Sequence, residues 1–361
     1  MDINKQSQQA GEGSQLVQAG TIVINQGVSE ERVRTVFNEM VPRALEEYTK
    51  EAYAKANERN TNWGNSVLPR VNEVEGMLEA FADPAFQRVL RKAQQSAAVT
   101  DEKADYDLLT ELLVCHVQKG DNRKNRAGVL KATEVVDLID NNALCALTIM
   151  NMVEFAIPTL GDVMLGMYVL SDVYSKLEYT DLPEGIDWME HLELLGAIRL
   201  SRNIKLNKFE DFYARALNGY ACVGIRKESD NYKTAIELLK SIQIGERGLR
   251  DNILLDGYVR LDVPNKDYIE RMILTDKNGI HKIRPDEKDV FIRIWYMYEK
   301  DDELQKKVNK NFMDMWDSFE PLEKIHKWWN SIPMSYDITQ VGKILAHTNA
   351  KRCDPSLPDL L

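Results

Sequence analysis

The chain has 361 residues, a formal net charge of −11, 44% hydrophobic residues and 29% charged residues. This composition is typical of a folded globular protein of about two to three domains. The acidic balance argues against general binding to nucleic acids or to anionic membranes.

The cysteines and the apolar runs indicate the cellular compartment. Cys115, Cys145, Cys222 and Cys353 stand far apart, and no His/Cys spacing is typical of zinc, so we expect free thiols, no metal and no cofactor. The chain start lacks the pattern of a secretory signal. No uncharged apolar run approaches the ~20 residues that span a bilayer. We therefore expect a cytoplasmic protein without a membrane segment.

The first predicted element is a small β-type tip over residues 1–27. Residues 1–13 are polar, β-branched residues dominate residues 14–27, and the tripeptide at 9–11 recurs at 18–20. This spacing favours a hairpin or a few rungs resembling a β-solenoid. Such a small unit cannot bury its own face, so the tip is either disordered or pairs with copies from other subunits. If it pairs, the contacting residues are Leu16, Val17, Gln18, Ala19, Gly20, Ile22 and Ile24.

An amphipathic helix is predicted next, with Ser29 as its cap and two glutamates in its first turn. Its apolar residues recur every three or four positions, which places them on one face. This face either packs on the chain's own core, which is the leading interpretation, or forms a seam between subunits, an alternative that its position directly after the tip strengthens. Its members are Val33, Val36, Phe37, Met40, Val41, Leu45 and Tyr48.

Residues 28–175 are predicted to form one helical domain. Its most apolar region, residues 142–171, is interpreted as two buried core helices broken near Pro158 and Gly161. A basic stretch, residues 119–126, separates two helical stripes. We interpret this stretch as a solvated loop, with contact to phosphate as the alternative.

Residues 176–361 are predicted to form a second helical domain with short strand-like pieces. The connection at 176–187 marks the boundary, and residues 226–233 form another. A helix ending at Gly196 precedes a strand-like piece at 198–200, and Thr339 caps a terminal helix. Both pieces resemble parts of winged-helix modules, but they stand about 140 residues apart, which does not support one contiguous module. The overall prediction is a mainly α, multi-helical body with a small β tip.

Searches for catalytic motifs find none. The chain contains no G-x-G-x-x-G, no P-loop, no H-E-x-x-H and no G-x-S-x-G. Acid–base chemistry would need carboxylates that converge in a pocket, which a linear sequence cannot show. The sequence therefore predicts no catalytic, cofactor-binding or metal-binding residue.

Four sets of residues, spread over most of the chain, match segments of one family: Ser14–Gly20 with Gly27, Leu109–Val114, Leu192–Leu200, and Thr339 and Gly342 with His347 and Asn349. The chain thereby resembles an uncharacterised bacterial family known by locus tags. The resemblance implies no activity and no site residue. Because similar N-terminal tips occur on bacterial accessory genes linked to phage defence, it does imply a role in such defence.

The leading functional hypothesis is a non-enzymatic, homo-oligomeric interaction protein that serves as a scaffold or sensor in antiphage defence. Its partners would be copies of itself and another protein, with no membrane and no nucleic acid. The first alternative is a helical nuclease or nucleotide-acting effector, which needs at least two carboxylates in a pocket beside Arg123 or Arg126. The second alternative is a DNA-binding regulator, which needs a basic face.

Overall fold

The structure, a computed structural model, describes residues 29–46, 48–119, 122–276 and 279–358. Over these residues α helices dominate, and the strands form only small antiparallel sheets of two or three strands. The predicted mainly α class is therefore confirmed. The β tip predicted for residues 1–27 lies outside the described residues.

The first part of the chain is a run of helices with short connections. Polar side chains cap most of their starts: the Ser29 hydroxyl accepts a hydrogen bond from the Arg32 amide, and the Asp140 carboxylate accepts two amide hydrogen bonds. These caps satisfy first-turn N–H groups that have no partner within the helix. The helices are α1 (Glu30–Ala44), α2 (Lys50–Glu73), α3 (Met77–Ala80), α4 (Pro84–Val99), α5 (Lys103–Lys119), α6 (Arg123–Thr133), α7 (Asn141–Phe155) and α8 (Val163–Leu177).

The second part mixes helices with short strands. Its helices are α9 (Asp187–Leu194), α10 (Phe209–Ala216), α11 (Asp230–Ser241), α12 (Pro285–Trp295), α13 (Asp302–Trp316), α14 (Glu320–Ser331) and α15 (Gln340–Cys353). Its strands are β1 (Ile198–Ser201), β2 (Ile225–Arg226), β3 (Leu249–Asp251), β4 (Tyr258–Leu261), β5 (Ile273–Asp276), β6 (Gly279–Lys282) and β7 (Ser335–Ile338). Two 3₁₀ helices, Gly245–Gly248 and Lys266–Arg271, complete the described elements.

The buried apolar residues form two clusters. The larger runs from Val33 to Val223, includes Leu254 and Leu255, and resumes from Val308 to Leu357. The smaller lies within residues 225–294, so it starts next to the boundary predicted at 226–233. The boundary predicted at 175/176 does not separate the clusters. Because α15 returns to pack against α5, α6 and α7, the two predicted helical domains share one core.

A buried arginine joins the smaller unit to the connection between α7 and α8. The Arg260 side chain is fully buried and donates hydrogen bonds to the carbonyl oxygens of Gly161 at 2.5 Å and Leu261 at 3.0 Å. Its guanidinium carbon lies 5.4 Å from the centre of the Tyr220 ring. The carbonyl groups and the aromatic face compensate for the removal of the guanidinium from water. This contact fixes where α8 begins.

The two pieces with winged-helix resemblance meet in the fold. Strands β1 and β7 pair antiparallel, with Ile198 opposite Ile338. The Thr339 amide donates to the Ala197 carbonyl at 3.0 Å, and its hydroxyl caps α15. Segments far apart in sequence thus form one short two-stranded sheet beneath α15.

Candidate functional site

The structure places the predicted association residues in two groups. The tip residues Leu16, Val17, Gln18, Ala19, Gly20, Ile22 and Ile24 lie outside the described residues. On α1, the apolar face is buried in the chain's own core, as one of the two alternatives expected. Its buried members are Val33, Val36, Phe37, Met40, Val41 and Leu45.

Specific contacts hold α1 in place. The Phe37 ring lies 5.6 Å from the Trp63 ring, and the Gln94 side-chain amide donates to the Phe37 carbonyl at 3.1 Å. Only Tyr48, after the helix, remains 38% exposed. For the α1 face to form a seam between subunits, the helix would have to detach from the core of its own chain. Association between copies through the described residues would therefore need another surface.

Helix α8 carries exposed apolar side chains. Met164, Leu165, Tyr168 and Val169 are between 39% and 59% exposed. Counted from Met164, the other three follow one, four and five positions later, which places all four side by side on one face of the helix. The opposite face of α8 packs into the larger core through Met167, among others. Both faces of the helix therefore carry apolar side chains, although only the face toward the core is buried.

The last residue of α7 and the connection to α8 extend this surface. Phe155, Ile157 and Leu160 precede the helix and are exposed to a similar degree, between 39% and 42%. We call these three residues together with Met164, Leu165, Tyr168 and Val169 the α8 face. Apolar exposure of this extent on a single segment is typical of interaction sites.

Packing beneath α8 makes this face rigid. Gly166 lies directly against the Tyr220 ring, and the Tyr220 hydroxyl donates to the Leu160 carbonyl. Arg250 pairs with Asp162 at 2.9 Å and with Asp262 at 2.6 Å, which ties the start of α8 to the smaller unit. Because these contacts hold the end of the connection and the first turns of α8, the exposed side chains of the helix stand on a fixed backbone, which lowers the entropic cost of binding.

The prediction for residues 142–171 was half wrong. The break near Pro158 and Gly161 is confirmed, since α7 ends at Phe155 and α8 begins at Val163. Helix α7 is buried around most of its circumference, as predicted. Helix α8 is not, because Met164, Leu165, Tyr168 and Val169 on its outer face stay partly exposed, although the Tyr168 ring packs edge-on against Phe319 with 5.0 Å between the ring centres. Apolarity alone does not distinguish a core helix from a helix that forms an interface.

A polar cavity of about 600 Å³ lies between α2, α5 and α15. Arg70 lines it and pairs with Glu73 and Glu111, both at 2.8 Å. The buried Thr348 hydroxyl, which also borders the cavity, has no hydrogen-bond partner among the described residues. The cavity suits a small polar solute, but its arginine is already neutralised by carboxylates.

Two of the cysteines are poor candidates for a nucleophile. Burial raises the pKa of Cys145 and of Cys222 to about 12. Such thiols are protonated at neutral pH and unreactive. The cavity beside Arg123 and Arg126 has one carboxylate in its described lining, Glu134, whereas the nuclease alternative needs two.

Within the part of the chain that the structure describes, no three His, Cys, Asp or Glu side chains come together in a group that could hold a metal ion. None of its helices combines the length and the apolarity needed to cross a lipid bilayer.

The chain was compared with known protein families. The model of an uncharacterised protein family matches residues 27–358. No curated protein and no solved structure matches the chain.

Proposed function

The chain belongs to this uncharacterised family, and from that premise we propose that it is a non-enzymatic interaction protein that associates with copies of itself through the α8 face. The observation that carries the proposal is the exposure of seven apolar side chains on one rigid segment. Monomeric proteins rarely keep such a surface in water, because covering it is favourable.

The size of the face fits a second copy as its occupant. Seven side chains that are about two fifths to three fifths exposed present roughly 600 Å² of apolar surface. Two such faces would bury roughly 1,200 Å² together, which is the lower limit for specific, stable interfaces. A two-fold axis, the commonest symmetry of homo-oligomers, brings one α8 face against the other.

The charge distribution also favours self-association at this face. Two copies with a net charge of −11 repel each other, so the contact costs least where the surface is uncharged. No member of the α8 face is charged, and two acidic groups beside it are paired within the chain. Asp172 pairs with Lys176 at 2.7 Å, and Asp162 pairs with Arg250 at 2.9 Å.

The oligomeric state in solution tests the proposal. We expect light scattering coupled to size exclusion, from about 1 to about 100 μM protein, to give twice the monomer mass for the full chain. Leu165→Asp, on the α8 face, should give a folded monomer, because each copy would bring a carboxylate into an apolar contact. The matched control is Leu194→Asp on α9, where the leucine is 82% exposed and outside the face, and it should leave the mass unchanged.

A variant without residues 1–27 separates the α8 face from the predicted tip. If the dimer survives this deletion but not Leu165→Asp, the α8 face is the interface. A monodisperse monomer for the full chain at every concentration contradicts self-association altogether. Loss of the dimer on deletion of 1–27 alone, with Leu165→Asp still dimeric, contradicts the α8 face and assigns the contact to the tip.

The biological setting within this proposal is the cytoplasm of a bacterium, where the assembled protein acts as a scaffold or sensor in antiphage defence. The sequence resemblance motivates this setting. Plating a panel of phages on cells that express the wild type or Leu165→Asp tests it. Protection by the wild type alone supports the proposal, and equal plating with and without the protein contradicts it.

A further inference from the structure

A second cavity, of about 380 Å³, lies between α4, α5 and α6. Arg88 borders it from α4, His116 from α5, and Arg123 and Arg126 from the first turn of α6. Small apolar side chains of α4 and α6 complete much of its lining. The stretch 119–126, predicted to be a loop, is therefore partly helical, and its helical turn lines a concave site.

The arginines of this cavity lack carboxylate partners. Arg88, Arg123 and Arg126 form no ion pair with any residue that the structure describes. The one described carboxylate of the lining, Glu134, is neutralised by Lys131 at 3.0 Å and by another lysine outside the cavity at 3.5 Å. Although the chain has 57 acidic and 46 basic residues, these three guanidinium groups around one cavity form no ion pair within the described ranges.

A buried histidine adds an unused hydrogen-bonding group. The His116 side chain borders the cavity and is 5% exposed, and its Nδ1 atom has no hydrogen-bond partner within the described ranges. Buried polar atoms are nearly always paired, so an unpaired one indicates a missing ligand or water. The ring packs against Phe86, with 5.9 Å between the ring centres, which holds it in place.

Helix α6 contributes a further positive element. Its first turn faces the cavity through Arg123 and Arg126, and the start of an 11-residue helix carries a partial positive charge. Guanidinium groups bind phosphate oxygens through pairs of parallel hydrogen bonds. The arginines, the histidine and the helix end therefore all suit an oxyanion.

We propose that this cavity binds a small organic phosphate, with the phosphate at Arg123, Arg126 and His116 and the organic part on the apolar lining. The volume lies within the range of small-molecule sites. A nucleic acid duplex fits less well, because the basic site is a single concavity on an otherwise acidic chain. The site does not depend on the proposed self-association, since none of its residues belongs to the α8 face.

Calorimetric titration with inorganic phosphate, adenosine 5′-monophosphate and adenosine tests the site. We expect both phosphates to bind, the nucleotide more tightly, and adenosine to bind at least tenfold more weakly than its phosphate. Arg126→Gln should weaken phosphate binding about tenfold or more, since a charge-assisted hydrogen bond is lost. Lys124→Gln, on α6 but outside the lining, is the matched control and should bind as the wild type does.

Further measurements keep the result unambiguous. Circular dichroism establishes that Arg126→Gln is folded, and Arg123→Gln provides a second variant with the same expected loss. Leu165→Asp should bind phosphate like the wild type, which separates this site from the α8 face. Absence of phosphate binding, equal affinities for adenosine and its phosphate, or unchanged binding in both arginine variants would overturn the proposal.

Discussion

A substitution at Gly166 tests how closely α8 packs against Tyr220. A Cβ atom at this position would lie 2.9 Å from two ring carbons of Tyr220 and closer still to the hydroxyl oxygen. The Tyr220 ring is fully buried, and its hydroxyl donates to the Leu160 carbonyl, so it cannot move aside. Replacing glycine by alanine inside a helix normally stabilises by about 1 kcal/mol, whereas overpacking costs about 1–3 kcal/mol. We therefore expect Gly166→Ala to lower the free energy of unfolding by about 1 kcal/mol.

Urea denaturation followed by circular dichroism measures this change in two backgrounds. In Tyr220→Leu the ring is absent, so Gly166→Ala should stabilise that variant by about 1 kcal/mol. The two substitutions should thus show a coupling energy of about 1–3 kcal/mol. If Gly166→Ala stabilises both backgrounds equally, the close packing of α8 on Tyr220 is refuted.

Two further predictions concern buried charges. Arg260→Met should lower the free energy of unfolding by about 3 kcal/mol, because buried carbonyl oxygens lose charged donors. Unfolding in guanidinium chloride measures this change, and a loss below about 1 kcal/mol would contradict the prediction. Burial lowers the pKa of His116, with Asp83 opposing the shift and Arg126 adding to it. The unfolded chain therefore binds this proton more readily, and stability should fall as the pH drops below about 6.5. His116→Gln should lessen that fall between about pH 7 and pH 5 in chemical denaturation, and an unchanged slope would count against it.

Local features of the sequence predicted local structure well. Ser29 caps α1 as expected, and the spacing of its apolar residues identified the face that packs inward. Pro158 and Gly161 marked the break between α7 and α8. These predictions depend on capping, helical periodicity and turn residues, which act within a few positions along the chain.

Features that depend on distant segments were missed. Leu165 and Leu170 have the same side chain on the same helix, yet one is exposed and the other is buried, because only one side of α8 meets the rest of the chain. The pairing of β1 with β7 joins segments whose separation in sequence argued against a common unit. The cavity proposed to bind phosphate needs α4, α5 and α6 together, and the sequence indicates only its α6 residues, as a basic stretch.

The position of α15 has a consequence for synthesis on the ribosome. Its partners α5, α6 and α7 are complete by Phe155, whereas α15 begins at Gln340. At ordinary translation speeds the terminal helix follows roughly 10 to 40 s later. During that interval the apolar groove that α15 will fill is open to chaperones and to other nascent chains. The smaller cluster, whose residues lie within one continuous stretch of the chain, can pack during this interval. The larger cluster is complete only after α15 has been synthesised.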